Sequence, residues 1–345
     1  MAKRQESGAE SPLSAAARLN GLDVAKGLAI ILVVVGHAGR GVTTAGLTDT
    51  DSWLPLLDRL IYSFHMPVFF VVSGALFGLR EPSGSLSTFL WSRTTRMMLP
   101  LLIWTYVFLG VRMAAGDLAN NATSLSEFLV WPLPPFAHMW FLWALLLITL
   151  VSATADWSMR GILDRRVRLF FILLLACAGS QLLQVDRQLE PWFQDALKYG
   201  PYFGLGAWLA ALLPQPIVVR APLAIACLCT FFAGLGFVSS QPLPVRGIVV
   251  GVLLSLAFCG VCLWSADRWL ESRLVRLLRY LGVISLAIYV AHTIFSAATR
   301  AVLLKAGFED VTLHMVLGTL TGLVGPVLLY RLAVARGIEK RVGLG

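Results

Sequence analysis

The sequence predicts an all-α integral membrane protein, a bundle of about ten transmembrane helices with both termini on the cytoplasmic side. Hydrophobic residues make up 57% of the 345-residue chain and charged residues 14%, and the mean hydropathy is +0.76. Soluble domains carry about 25% charged residues, so this composition indicates a chain embedded in lipid. Apolar stretches of roughly 17–25 residues, the length that crosses a bilayer, recur along nearly the whole sequence.

Ten such stretches mark the predicted spans. In order, they are 22–42, 55–79, 97–115, 136–155, 168–184, 197–213, 221–239, 247–266, 281–303 and 313–332, of which the fifth and sixth are the shortest and most interrupted. Residues 1–20 are polar and rich in Ala and Ser, which predicts a disordered cytoplasmic tail without a cleavable signal. We therefore expect one membrane domain over 21–333 and a basic cytoplasmic tail over 334–345.

The distribution of positive charge predicts the orientation. Eight of the 28 Lys and Arg residues fall in segments predicted to face outward: Arg40, Arg59, Arg112, Arg187, Lys198, Arg246, Arg300 and Lys305. The remaining 20 of the 28 lie on the cytoplasmic side, which is the positive-inside bias of a multi-pass protein of the cell (inner or plasma) membrane. The net charge of +9 is thus explained by anionic lipid headgroups, and we expect no nucleic-acid partner.

All five cysteines lie inside predicted spans. Cys259 and Cys262 have a redox-like spacing, but in an apolar stretch cysteine behaves as a small hydrophobic residue. No cluster of metal ligands stands out elsewhere. We expect no metal site and no permanently bound cofactor.

The first span carries three ionisable residues on one face. Lys26 and His37 are eleven positions apart, which at about 100° per residue is within about 20° of three full turns. Asp23, fourteen positions before His37, falls within about 40° of the same line. Such groups cannot face hydrocarbon, because each would cost several kcal/mol there. They predict a polar interior, although helix capping and anchoring also explain Asp23 and Lys26.

The second span places His65 beside a helix-breaking Pro67. Asp58 lies seven residues earlier and is predicted to share its face and orient the imidazole. Ser73-Gly74 offers a small surface where another helix can approach closely. A structural hydrogen bond between helices is the alternative role for His65.

Further polar residues recur at the ends of later spans. Arg93 and Arg96 enter the third span three residues apart, an arrangement suited to phosphate binding, with ordinary headgroup contact as the alternative. His138 and Trp140 begin the fourth span, where interfacial aromatics are also common.

The ninth span carries a second polar stripe. It is formed by Ser285, Tyr289 and His292. Ser285 and His292 are seven residues apart and nearly eclipsed. A structural interhelical network and a functional site explain this stripe equally well.

Taken together, these segments resemble the integral-membrane acyltransferase family three, which transfers acetyl and related groups from acyl-CoA to exported sugars. The matching segments, in the family's order, are Leu22-Asp23 with Lys26-Gly27 and His37, Ser63 to Phe70 with Ser73-Gly74, Arg93 and Arg96, His138 to Leu142, and Gly282 to His292. Lys26 stands where the family commonly has Arg, so a bidentate contact becomes a single point charge. No extracytoplasmic hydrolase-like domain follows, so a separate extracytoplasmic transferase would have to perform any second step outside.

The resemblance implies an O-acyltransferase that takes an acyl group, acetyl first, from cytoplasmic acyl-CoA to a hydroxyl of an exported or surface glycan. A shielded neutral imidazole takes a hydroxyl proton or carries the acyl group transiently. The expected catalytic residues are His37, Asp23, Lys26 and His65, the donor-binding residues Arg93 and Arg96, and the substrate-binding residues His138, Trp140, Ser285, Tyr289 and His292.

Three other functions fit a polytopic chain with buried ionisable groups. The first is an exporter of a lipid-linked glycan with a proton relay, although no inverted repeat is visible. The second is the other large class of membrane-bound O-acyltransferases, and the third is a non-catalytic sensor or assembly subunit.

Overall fold

A computed structural model describes residues 12–48, 52–81, 84–116, 126, 135, 137–185, 190–213, 217–241 and 247–345. Over these residues the protein is helical and contains no strand. The helices are α1 (Pro12–Thr44), α2 (Leu54–Tyr62), α3 (His65–Leu79), α4 (Leu86–Ala115), α5 (Trp140–Ser158), α6 (Arg165–Val185), α7 (Pro191–Leu212), α8 (Ala221–Ser240), α9 (Ile248–Arg268), α10 (Arg273–Val283), α11 (Ser285–Lys305) and α12 (Val311–Ala335). A single 3₁₀ turn, Ala137–Met139, precedes α5.

Within this described part of the chain, eight helical segments are long and apolar enough to cross a membrane. They are Asn20–Thr44, Leu54–Leu79, Leu86–Ala115, Ala137–Ser158, Ala221–Ser240, Ile248–Arg268, Ser285–Lys305 and Val311–Ala335. The other two predicted spans, 168–184 and 197–213, are also helices, α6 and α7, but they do not reach that standard. Both contain charged residues, and α7 is packed between other helices. The count of ten and the side of each terminus remain predictions.

Helix breaks interrupt two predicted spans, the second in its first half and the ninth close to its start. The second divides into α2 and α3 at Ser63-Phe64, immediately before His65, and the region of the ninth divides into α10 and α11 at Ile284, immediately before Ser285. The first helix starts at Pro12, inside the stretch for which the sequence predicts disorder. Each break restarts the helical phase, so residues on its two sides do not share a face by simple counting.

Helix α1 lies at the centre of the bundle and contacts α2, α3, α9, α10, α11 and α12. Its closest neighbour is α10. Gly27 packs against the backbone carbonyl of Leu278, and Gly282 packs against that of Asp23. A Cβ at either glycine would overlap a carbonyl oxygen, so these glycines permit the close approach of the two backbones.

Helices α3 and α7 pack in the same close way. Gly74 and Gly78 of α3 lie against the carbonyls of Phe203 and Ala207, and Gly206 of α7 lies against that of Val71. This confirms the prediction that Ser73-Gly74 allows close approach of another helix, and it identifies that helix as α7. The contact holds the residues that follow His65 in a fixed position.

An ion-pair network joins the ends of α3, α5 and α6. Asp156 is fully buried and lies 2.8 Å from Nε of Arg168, whose Nη2 atom lies 2.6 Å from Glu81. Arg165 donates to the carbonyls of Phe77 and Arg80. These arginines, counted in the sequence as headgroup-facing cations, therefore also fix the positions of three helices.

The segment after α12, predicted as a basic tail over 334–345, folds back onto α4. The indole Nε1 of Trp104 donates to the carbonyl of Val342 at 3.0 Å. Gly343, with φ +69°, lies against Pro100, and Leu344 is buried. The segment thus packs on the helix that carries Arg93 and Arg96.

Candidate active site

Three histidines from distant parts of the chain meet in the interior. His37 comes from α1, His138 from the 3₁₀ turn before α5, and His292 from α11. The ring centroids are 5.0 Å apart for His37 and His292, 5.3 Å for His138 and His292, and 5.8 Å for His37 and His138, all edge-on. We call these residues the histidine cluster. The predicted stripe on α1 and the predicted stripe on α11 therefore meet at their histidines.

The backbone contacts of His292 determine its neutral tautomer. This side chain is fully buried, and its Nδ1 lies 2.8 Å from the carbonyl of Tyr289 and 3.1 Å from that of Ile288. Because a carbonyl can only accept a hydrogen bond, we assign the proton to Nδ1. Nε2 then carries a lone pair, and it is buried without a hydrogen-bond partner among the described residues. An imidazole in this state is set up to accept a proton.

The tyrosine of the α11 stripe holds His138 in place. The Tyr289 hydroxyl donates to the backbone carbonyl of His138. Ala137, the residue before it, has φ +49°, an uncommon value for a residue with a Cβ. Nε2 of His138 is also buried without a partner in the described part of the chain. Two buried, unsatisfied ring nitrogens thus accompany His37.

His37 itself makes ring contacts and, within the described residues, no hydrogen bond through its own ring nitrogens. It is partly exposed, whereas His138 and His292 are buried. Among the described residues, its nitrogens therefore have no competing hydrogen-bond partner.

His65 is buried but is oriented differently from the prediction. Its Nδ1 donates to the carbonyl of Ile61 at 2.7 Å, and its ring packs edge-on against Tyr62 at 4.5 Å. Asp58 does not orient this ring. The carboxylate pairs with Arg40 instead, at 2.8 Å. The prediction was wrong because the break at Ser63-Phe64 interrupts the helical phase between Asp58 and His65.

A cavity of about 280 Å³ lies beside the cluster. Lys26, Arg93 and Arg96 line it together with Ser285 and Tyr289, and its remaining wall is almost entirely apolar. We call it the cationic cavity. The structure thus brings together residues that were predicted for different roles: Lys26 as catalytic, Arg93 and Arg96 as donor-binding, and Ser285 and Tyr289 as substrate-binding. The Tyr289 ring also contacts His138 of the histidine cluster.

The predicted pair Asp23 and Lys26 forms, at 2.8 Å. It lies away from His37, since eleven residues of helix separate Lys26 from His37 by about 16 Å. The rings that contact His37 are those of His138 and His292. Lys26 therefore lines the cationic cavity away from His37, and Asp23 is its ion-pair partner outside the lining.

Trp140 lies in an aromatic stack rather than in the wall of the cavity. Its ring stacks on Tyr199 at 5.3 Å, and Tyr199 stacks on Phe70 at 4.7 Å. The stack joins α5, α7 and α3. No three His, Cys, Asp or Glu side chains in the described ranges are arranged to hold a metal ion.

Sequence reasoning missed a second cavity, of about 350 Å³, at the opposite end of α1. It is lined by Val35, Gly36, Gly39, Arg40, Thr43, Thr44, Leu54, Pro55, Leu57 and Asp58. Arg40 donates to both oxygens of Asp58, at 2.8 and 3.0 Å, and to the Tyr62 hydroxyl at 2.6 Å. The residue that could have indicated this cavity is Arg40, which lies one helical turn after His37 and was predicted only to be an outward-facing cation.

Comparison with known proteins identifies the family of the chain. Residues 19–331 match the family model described as an acyltransferase domain. The chain is 28% identical over 222 residues to the nodulation protein NolL of Sinorhizobium fredii, a match that covers 60% of this chain and 55% of that protein. It is 30% identical over 127 residues to the nodulation protein NolL of Mesorhizobium japonicum, covering 35% of this chain and 32% of that protein.

The match therefore spans about half or less of the length of these curated relatives. No solved structure matches the chain. The family match covers nearly the whole chain, including every residue of the histidine cluster and of the cationic cavity. The chain belongs to the integral-membrane acyltransferase family three.

Proposed function

We propose that this membrane acyltransferase moves an acyl group, acetyl first, from cytoplasmic acyl-CoA to a hydroxyl of an exported or surface glycan. The observation that carries the proposal is that Tyr289 both lines the cationic cavity and packs edge-on against His138 of the histidine cluster, with 5.5 Å between the ring centroids. Cationic groups that can bind an anionic donor and imidazoles that can accept a proton thereby lie at the two ends of one site. The protein acts from the bilayer of the cell membrane, and an extracytoplasmic partner completes any further transfer outside.

The cationic cavity suits the two parts of acyl-CoA. Arg93 and Arg96 supply guanidinium groups for phosphate oxygens, and Lys26 adds a third cation that is partly neutralised by Asp23. Most of the remaining wall is apolar, with the hydroxyl groups of Ser73, Thr149, Ser285 and Tyr289 among it, which suits the uncharged arm of CoA that carries the thioester. The distance of about 16 Å between Lys26 and His37 along α1 leaves room for that arm.

In the chemical step, neutral His37 accepts the proton of the acceptor hydroxyl as its oxygen attacks the thioester carbonyl. The new C–O bond forms, the C–S bond breaks, and the CoA sulfur leaves with a proton returned by the imidazolium. His292, whose Nε2 lone pair lies in the same cluster, shares the positive charge that develops on His37. Ser285, in the wall of the cationic cavity, contacts the donor, and His138 lies beside His37 in the histidine cluster. His65 and Trp140 act indirectly, by holding the surrounding helices in place.

The test is transfer by purified protein from radiolabelled acetyl-CoA to cell-envelope glycan taken from a strain that lacks the gene. We expect label in the glycan and equimolar CoA thiol with the wild-type protein, and neither with His37→Ala at normal expression. Wild-type turnover by that variant would remove His37 from the mechanism. Movement of glycan without any donor would favour the exporter instead.

A further inference from the structure

We propose that the second cavity is the binding site for the hydroxyl acceptor, and that the Arg40–Asp58 pair recognises it. This inference rests on the proposed acyl transfer and assigns a place to the second substrate. The class of ligand is a neutral molecule with neighbouring hydroxyl groups.

Position is the first argument. Along α1, Lys26 and Val33 face the cationic cavity, whereas Gly36, Gly39 and Arg40 face the second cavity. His37 is flanked along the chain by Gly36 and Gly39 of the second set and lies three residues, less than one helical turn, before Arg40. Two substrates entering from opposite ends of α1 would therefore meet at the histidine cluster.

The free hydrogen-bonding capacity of the pair is the second argument. A guanidinium has five N–H groups, and contacts within the described residues use three of those of Arg40, two to Asp58 and one to Tyr62. Two N–H groups remain, and each Asp58 oxygen keeps a lone pair. Donors and acceptors thus lie side by side, as two adjacent hydroxyl groups require.

Charge and rigidity are the third argument. Arg40 and Asp58 neutralise each other, so the second cavity does not favour an anion, unlike the cationic cavity, where Arg93 and Arg96 have no carboxylate in the lining. The Arg40 guanidinium lies 3.7 Å from the centroid of the Tyr62 ring, which fixes its orientation. Gly36 and Gly39 leave space for a ligand, since they carry no side chain.

The experiment compares Asp58→Asn and Arg40→Lys with the exchanged double variant Arg40→Asp/Asp58→Arg. The matched control is Arg59→Lys, because Arg59 neighbours Asp58 but donates to the carbonyls of Ser239 and Gln241 outside the cavity lining. Transfer is measured against concentration of the same envelope glycan, and binding of that glycan without donor is measured by calorimetry.

We expect at least a tenfold rise in the glycan concentration for half-maximal rate in both single variants, with unchanged acetyl-CoA dependence and an unaffected control. The exchanged variant keeps an ion pair, so its recovery of wild-type glycan dependence would show a purely structural pair and overturn the proposal. Unchanged glycan dependence in both single variants would also overturn it. Arg40-dependent glycan binding without any wild-type transfer would instead refute the acyl transfer and leave the site standing.

Discussion

The assigned tautomer of His292 yields a prediction that separates its two ring nitrogens. In His292→Asn, the side-chain amide can replace Nδ1 and donate to the carbonyl of Tyr289, now 2.8 Å away, but nothing replaces Nε2. The buried backbone carbonyl therefore keeps its partner, and folding is preserved. The variant loses only the lone pair that faces the histidine cluster.

The size of the effect follows from the role of that lone pair. A group that takes part in proton transfer contributes roughly 10²–10⁴-fold to the rate, which corresponds to about 2.7–5.4 kcal/mol of transition-state stabilisation. We expect the transfer rate of His292→Asn to fall within this range, while its thermal unfolding temperature stays close to the wild-type value. Radiolabel transfer to envelope glycan measures the rate.

The matched control is a buried histidine outside the cluster. His314 has no part in the proposed chemistry, and its Nε2 lies 2.9 Å from the carbonyl of Phe308. In His314→Gln the amide can take the position of Nε2, so we expect the wild-type rate. A rate for His292→Asn within threefold of wild type, with His314→Gln equally active, would refute the assignment of His292 to the proton-transfer centre.

Three further predictions test the donor site and the packing. Arg93→Ala combined with Arg96→Ala should weaken CoA binding at least tenfold in calorimetry, since each charged hydrogen bond contributes about 1.5–3 kcal/mol. Unchanged affinity would show that both arginines contact lipid headgroups instead of CoA. Gly74→Ala should lower the thermal unfolding temperature, because its Cβ would overlap a carbonyl of α7, whereas Gly236→Ala, which has open space around it, should not. Asp156→Ala removes the buried partner of Arg168, and because Arg168 keeps Glu81, we expect a loss of stability below the roughly 3–5 kcal/mol of a wholly unpaired buried charge. A wild-type unfolding temperature would contradict this.

Local periodicity accounts for much of what the sequence predicted. Apolar length and composition predicted a helical membrane protein, and helical phase predicted that Lys26 and His37 point to the interior. The pair between Asp23 and Lys26 follows from their spacing of three residues within one uninterrupted helix. The small residues Ser73-Gly74 predicted a close helix contact, although not its partner.

Counting residues along a helix failed to predict which side chains share a face where the helix is interrupted. The phase between Asp58 and His65 depends on the break at Ser63-Phe64, which Pro67 alone did not locate. The predicted spans 168–184 and 197–213 fall short of a membrane-crossing helix for a related reason. Helix α7 is buried partly by neighbouring helices rather than by lipid, and mean apolarity does not distinguish the two environments.

The sequence by itself determined that this is a membrane-embedded helical chain of the acyltransferase type, with buried histidines that avoid lipid. Only the tertiary structure decided which of them meet. His37 and His292 are 255 positions apart, and their contact depends on the packing of α11 against α1, which no local pattern encodes. The same holds for the Arg40–Asp58 pair, since a charge in a sequence has a sign but acquires a partner only when separate helices are brought together.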